Sequence, residues 1–439
     1  MSSSSKNGSL KSTFAVSLTN FLDSGSIVAG ASGLTLWTSH FGLNSFQVGL
    51  LGALSANAFG AAIGALFGGH LSDKYGRKII YTYDMLVYML GTLIVALAAN
   101  FPMLLIGFTI TGIAVGAGVP ASWTYISETS SDNARAKNIG ISQFAWSLGP
   151  ALIFILAVIV SPLKLLGNRI LFGILFIVSF IAWNLQKNLH ESEDWEKQKA
   201  REKMTGVKPH PYKDLFSNVV NIKTLLFLIG VYMFWNLVAG AMGFFMPYVY
   251  ETAGGLTNMQ ANLLQAILWI FTSLATYFGF AKYGDKVNHR IFFFVGAAMS
   301  AASWIVLTFM GMSWTSLWLF VILWGVSAGI GAQAWYSLWS TELFPTKYRA
   351  GSQGVIFFVV RASAGIWLIV FPTILSTMGF KAAGMFMIGL LIVSWVIGTV
   401  WTPQTRGKSL DEITNERYHV GRNSGIQNIK ENTSSGKEA

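Results

Sequence analysis

The chain has no cysteine among its 439 residues, which excludes a disulfide framework, a cysteine-ligated metal or iron–sulfur centre, and redox chemistry through thiols. Charge is also scarce: 11% of residues are Asp, Glu, Lys or Arg, against about 25% in soluble proteins. Neither the phosphate-binding pattern GxxxxGK(S/T) nor the zinc motif HExxH occurs, so ATP-driven pumping and zinc-dependent hydrolysis have no residues to carry them. We therefore expect no enzymatic activity, no cofactor and no metal site. Gradients of solute or proton are left as the energy source.

What is present is apolar. Hydrophobic residues make up 53% of the sequence, gathered into runs of about 20, each long enough to cross ~30 Å of hydrocarbon as a helix. Twelve such runs are expected, at roughly 13–37, 47–71, 79–99, 102–125, 139–161 and 170–186, then 224–250, 258–281, 291–311, 315–340, 351–375 and 382–401. The fold class is an all-α integral membrane protein with the bilayer as its solvent. The start, MSSSSKNGSLKS, carries Lys6 and Lys11 but no small-residue cleavage site follows, so the first helix is expected to be retained.

The net charge of +11 would point to nucleic acid in a soluble protein. Its placement points instead to loop sorting, because Lys and Arg accumulate on the cytoplasmic side of a membrane. With both tails inside, 26 of the 30 Lys and Arg residues fall in inner segments. The outer loops hold Lys164, Arg169 and Lys381, and Arg361 lies inside a helix. The expected organisation is a cytoplasmic N-tail (1–12), a six-helix bundle (13–186), a cytoplasmic central loop (187–223), a second six-helix bundle (224–401) and a cytoplasmic C-tail (402–439). HESEDWEKQKAREK in the central loop reads as cytoplasmic surface helix. A plasma-membrane location, a monomer, and no nucleic-acid partner are expected.

The two halves repeat. SETSSDNARAKNIG and TELFPTKYRAGSQG both have Glu, then Arg-Ala seven residues on, then Gly five after the Arg, so that Glu128, Arg135 and Gly140 match Glu342, Arg349 and Gly354 at an offset of 214. Asp73-Lys74 matches Asp285-Lys286 at nearly the same shift. A parallel six-helix repeat implies two bundles related by an axis along the membrane normal, with a site between them at mid-depth.

The loops then resemble a known family. GGHLSDKYGRK (68–78) is similar to the loop signature of the major facilitator superfamily, and ISETSSDNARAK, TELFPTKYRAGSQG and TPQTRGKSLDEI resemble the loops of its sugar porters and related metabolite transporters. The likeness covers residues 13 to 413. It implies the major facilitator fold and alternating access. The chain departs from the sugar-porter pattern at Glu191, where HESEDWE replaces a proline-rich motif, and at Gln404, where an acid is expected. It departs again in span seven, where Trp235 and Asn236 replace paired glutamines.

Within that frame, Asp73, Arg77, Glu128, Arg135, Glu342 and Arg349 are candidates for an inner gate of ion pairs that form and separate as the halves close and open. Partly exposed pairs worth ~0–1 kcal/mol each suit a gate that opens repeatedly. Ionisable residues inside a bilayer are functional by default. Asp23, in NFLDSGSIVAG, is either a proton carrier or a structural carboxylate capped by Ser24, Ser26 or another helix. Arg361, in FFVVRASAGIW, either binds substrate or pairs with an acid such as Asp23. Gln143 matches the place of a sugar-binding glutamine in the family. Trp235, Asn236, Gln333, Trp335 and Tyr336 lie on spans seven and ten, where aromatic faces and amides would meet sugar rings and hydroxyls.

The function expected is secondary transport of a small hydrophilic solute, a sugar or polyol such as an inositol, with a co-transported proton. The rival is an organic-anion or sugar-acid transporter anchored by Arg361. A transporter-like nutrient sensor would need a large signalling tail, which the residues after Arg417 do not supply. For the gate, Arg135→Ala and Arg349→Ala are expected to slow uptake several-fold with membrane insertion unchanged, measured as initial uptake rate against surface quantity. Unaltered rates in both variants would remove the assignment.

Overall fold

The computed structural model describes residues 3–129, 135–205, 215–284, 286–408 and 410–418. The first half runs α1 (Ser3–Ser32), α2 (Leu34–Phe41), α3 (Ser45–Leu54), α4 (Phe59–Tyr75), α5 (Arg77–Ala96), α6 (Phe101–Thr129), α7 (Arg135–Val160) and α8 (Leu165–Gln186). A surface helix, α9 (Glu193–Thr205), follows. The second half comprises α10 (Val219–Thr252), α11 (Asn258–Leu274), α12 (His289–Met310), α13 (Trp314–Ile330), α14 (Ala332–Glu342) and α15 (Thr346–Val400), and α16 (Leu410–Tyr418) ends the described chain.

Ten stretches among the described residues are long and apolar enough to cross a bilayer. One of them, Gly351–Val400, is two spans, because the chain reverses at Gly379 (φ 79°, ψ 171°), which interrupts α15. The remaining span is α1, whose Thr13, Ser17, Thr19, Asn20, Asp23, Ser24 and Ser26 lower its hydropathy but are all buried. Twelve spans result, as two six-helix bundles. Large apolar side chains such as Phe67, Ile159, Leu226 and Trp401 are exposed, as lipid-facing positions are.

Four spans expected to be continuous are interrupted. The first bends at Gly33, where Asn168 of α8 donates to Ala29 O (2.8 Å) and Ser32 Oγ (3.1 Å) and accepts from Trp37 Nε1 (2.7 Å). The second is broken at 55–58, between α3 and α4. The eighth passes through a π turn at Ala275–Phe280, and the tenth breaks at Gly331. Broken backbone at membrane depth persists only where protein or a polar cavity satisfies the freed groups.

Small residues set the helix contacts in the first half. A Cβ on Gly64 would lie 2.1 Å from Ile113 O, and one on Gly116 would lie 2.0 Å from Ala61 O, so α4 and α6 touch backbone to backbone. At the face that carries α9 and α16, called here the tail face, Glu191 caps the N-terminus of α5. Its Oε1 accepts from Arg77 N at 3.1 Å and its Oε2 from Lys78 N at 3.1 Å. An anion at a helix N-terminus is favourable. Gly76, at φ 108°, makes room for it: a Cβ there would meet Glu191 Oε2 at 2.1 Å.

On the opposite face the two halves close on each other. Asn258 Nδ2 donates to Ser32 O (2.9 Å), Asn262 Nδ2 to the same oxygen (3.3 Å), and Ser45 Oγ to Ser376 Oγ (3.3 Å). Gly49 packs against Ile369 backbone and Gly52 against Phe244 and Phe245.

Gly76→Ala combines strained backbone with a collision and is expected to cost about 1–3 kcal/mol. Gly42, at φ 64° with nothing within 4 Å of its would-be Cβ, faces the conformational penalty alone. The thermal midpoint of detergent-solubilised protein should therefore fall further for Gly76→Ala than for Gly42→Ala. Equal shifts would mean that the Glu191 cap contributes nothing.

Candidate functional site

Between the halves lies a cavity of about 770 Å³ including its mouth, lined by α1, α4's leading break, α6, α7, α10, α11, α13, α14 and α15. Its wall is aromatic: Trp123, Trp146, Tyr232, Trp235, Trp269, Trp324 and Phe357 all line it. Trp235 lies parallel to Trp324 (6.4 Å between ring centroids, 3°), and Trp146 meets Trp269 edge-on (5.6 Å, 70°).

Polar groups punctuate that wall from both halves. Asp23 is buried in α1, and its Oδ2 accepts from Trp146 Nε1 at 2.9 Å. Asp23 Oδ1 has no hydrogen-bond partner among the described residues. Across the cavity, Arg361 Nη1 donates to Asn57 O and to Asn57 Oδ1, each at 2.9 Å. Asn57 Nδ2 in turn donates to Gly240 O of α10 at 2.7 Å. The guanidinium stacks over the Phe357 ring at 4.9 Å. Asp23 and Arg361 line one cavity, yet no ion pair joins them.

Several buried polar atoms of cavity-lining side chains find no partner among the described residues. Asp23 Oδ1 and Asn236 Oδ1 are acceptors; Trp235 Nε1, Trp269 Nε1 and Arg361 Nε are donors. Native proteins leave few buried polar groups unmet, and a cluster of them around one cavity marks where a ligand or water completes the bonding.

Of the residues singled out in the sequence, Asp23, Trp235, Asn236, Gln333 and Arg361 come together around this cavity. Trp335 does not line it. It is fully buried in the second bundle, donates Nε1 to Ile330 O at 3.1 Å, and packs on Phe280, His289 and Phe292. Two residues of helix rotate a side chain by about 200°, so Gln333 and Trp335 cannot both face the cavity. Tyr336 stacks face to face on Tyr232 (3.9 Å, 2°), behind the lining. Gln143 is half-buried in α7, one turn before Trp146 and outside the lining.

The inner-gate candidates cluster at the tail face by backbone position. Arg77 is buried and its Nη1 donates to Ser72 O at 3.2 Å, while Glu342 is half-buried at the end of α14. The side chains of Asp73, Glu128, Arg135 and Arg349, and the whole of Asp285, lie outside the described residues. So does the chain after Tyr418, where disorder is expected from composition.

A description of the Major Facilitator Superfamily matches residues 13–368. The chain belongs to the Major Facilitator Superfamily. Among its curated relatives, the minor myo-inositol transporter IolF of Bacillus subtilis (strain 168) is 44% identical over 413 residues, covering 93% of this chain and 94% of that protein. The arabinose-proton symporter of Escherichia coli (strain K12) is 27% identical, with 88% of each chain covered. Among solved structures, the proton:xylose symporter XylE bound to 6-bromo-6-deoxy-D-glucose superposes with a TM-score of 0.73 at 17% identity, over 93% of this chain and 99% of the other. Members of this superfamily are membrane transporters rather than enzymes.

Asn57 escaped the sequence reading. The run LSANAFGAAIGALFGG looks like one apolar helix with a stray amide, and no charge or motif flags the position. The nearest thing to a signal is Ser55 and Asn57 two apart, since both side chains compete with helical hydrogen bonds. Ser55 Oγ does this here, donating to Gly52 O at 2.7 Å and accepting from Asn57 N at 3.1 Å.

Proposed function

We propose that the protein is a secondary active transporter that carries a neutral sugar or polyol, inositol-like in its ring of hydroxyls, together with a proton. The observation that carries this reading is the mixture of unmet donors and acceptors around an aromatic-walled cavity. A hydroxyl both donates and accepts, so a ring bearing several of them can satisfy Asp23 Oδ1, Asn236 Oδ1, Trp235 Nε1 and Arg361 together. The flat indoles suit the apolar face of such a ring. The 44% identity to a myo-inositol transporter supports the same substrate class.

The cavity's charges balance. Asp23 and Arg361 face it from opposite bundles, so a carboxylate-bearing substrate would gain the arginine but be repelled by the aspartate whenever that group is ionised. A neutral solute meets neither difficulty, which sets the polyol reading ahead of the sugar acid. Asp23, buried on the cavity wall and with one oxygen unpartnered among the described residues, is the group we assign to proton carriage. Trp235, Asn236, Gln333 and Arg361 are assigned to substrate.

The working unit in this reading is a monomer in the plasma membrane. Both tails lie in the cytoplasm, as the 26 of 30 basic residues on that side favour. The bundles span 13–186 and 224–401. The closed far face then corresponds to the extracellular side, and the tail-face residues Asp73, Arg77, Glu128, Arg135, Glu342 and Arg349 to the gate that alternates with it.

Uptake of labelled myo-inositol, a hexose and a sugar acid in a strain lacking its own carriers tests this directly. Myo-inositol should accumulate against its gradient and a protonophore should abolish the accumulation. Asp23→Asn should lose accumulation while retaining exchange of internal for external label. Protonophore-insensitive accumulation would exclude proton symport, and uptake confined to the sugar acid and dependent on Arg361 would replace the polyol reading.

A further inference from the structure

The break in the second span is placed by its neighbour. Positions 357, 361 and 365 recur every four residues on one face of α15, and each meets a defined part of that span. Phe357 packs with Ala61 and Ala65, Arg361 binds Asn57, and Gly365 lies so close to Phe59 that a Cβ would come within 2.5 Å of its ring. The register therefore sets Arg361 against the interruption. A continuous helix would have spent the Asn57 carbonyl on its own ladder; the break frees it, and Arg361 takes it.

Asn57 then makes three hydrogen bonds to two partners. Its carbonyl and its Oδ1 both accept from Arg361 Nη1, and its Nδ2 is committed to Gly240 O of α10. The amide is fixed from both ends, so its oxygen cannot turn away from the arginine. Among the described residues, Arg361 Nη2 makes no hydrogen bond and Nε has no partner either. The guanidinium is thus anchored through one nitrogen by uncharged oxygens, with donors to spare, in a cavity that also holds Asp23.

We propose that Asn57 is the positioning residue of Arg361: it fixes the guanidinium on the second span, out of an ion pair with Asp23, and so keeps the arginine's remaining N–H groups available for the hydroxyls of a bound polyol. This rests on the polyol reading above and names the residue that makes it work. Without the Asn57 side-chain oxygen the arginine is held by the backbone carbonyl alone and is free to swing toward Asp23 in the same cavity. Substrate would then have to compete with an internal carboxylate for the donors that bind it.

A double-mutant cycle on myo-inositol uptake in proteoliposomes tests the proposal, with monodispersity in detergent as the folding control. Loss of a hydrogen bond to a charged group corresponds to roughly a tenfold weakening or more. Asn57→Ala should raise the apparent KM about tenfold with the maximal rate changed far less. Arg361→Gln should do the same, and adding Asn57→Ala to it should change KM by less than about twofold, since residues acting through one contact are not additive.

Asn57→Asp separates the two bonds of the amide, because it keeps an acceptor for Arg361 and loses the donor to Gly240. It should recover most of the affinity lost in Asn57→Ala. Additive effects in the double variant, or an Asn57→Asp as impaired as Asn57→Ala, would overturn the assignment and leave Asn57 as a brace between spans two and seven. A wild-type protein with no saturable myo-inositol uptake would instead remove the polyol reading and the proposal with it.

Discussion

A carboxyl and a guanidinium share one cavity at the middle of this molecule without pairing, and much of the surrounding structure is arranged around that fact. A lone charge at the centre of a bilayer costs about 3 kcal/mol on insertion scales, and an ion pair between Asp23 and Arg361 would have been the simplest relief. The chain takes another course. Trp146 donates to one oxygen of Asp23, and the broken second span gives Arg361 two neutral acceptors. Both ionisable groups stay partly unsatisfied, which is the condition in which a proton or a hydroxyl can still bind to them.

Keeping that arrangement in a molecule that must move calls for contacts that are specific and individually weak. On the far face the halves meet through amides on a backbone carbonyl, Asn258 and Asn262 on Ser32 O, and through glycines against Ile369, Phe244 and Phe245. Neutral hydrogen bonds of this kind contribute about 1 kcal/mol each, so the face can open without a large barrier. Within the first half the packing is of another sort. Gly64 and Gly116 bring α4 and α6 into backbone contact, where any side chain would be excluded. Close packing within a half and softer contacts between halves suit alternating access.

The sequence made the architecture legible because a bilayer leaves few options. Apolar runs of span length and the one-sided distribution of Lys and Arg follow from solvent physics, and twelve spans could be placed from them. Asp23 and Arg361 were legible for the same reason, as lone charges in apolar runs. Legibility ends where a function depends on a meeting of distant residues. Trp335 looked equivalent to Gln333 by composition, but helical rotation turns it into the core against His289. Asn57 looked incidental, because nothing local in LSANAFG announces that Arg361, three hundred residues on, will occupy the carbonyl which the break exposes. The interruption combines a local cause, the Ser55 hydroxyl bonded to Gly52 O and Asn57 N, with tertiary ones: Ala-rich flanks favour helix, and the contacts of Asn57 with α10 and α15 act against that preference.

The central claim, that one proton crosses with each neutral solute through this cavity, is tested most directly by a reversal-potential measurement. Purified protein in tight liposomes would be loaded with labelled myo-inositol at a fixed gradient, and the membrane potential stepped at constant pH until net flux stops. A stoichiometry of one proton predicts zero net flux where the electrical driving force on one positive charge equals the inositol gradient. Flux that stops only when the inositol concentrations are equal, whatever the potential, would contradict the account.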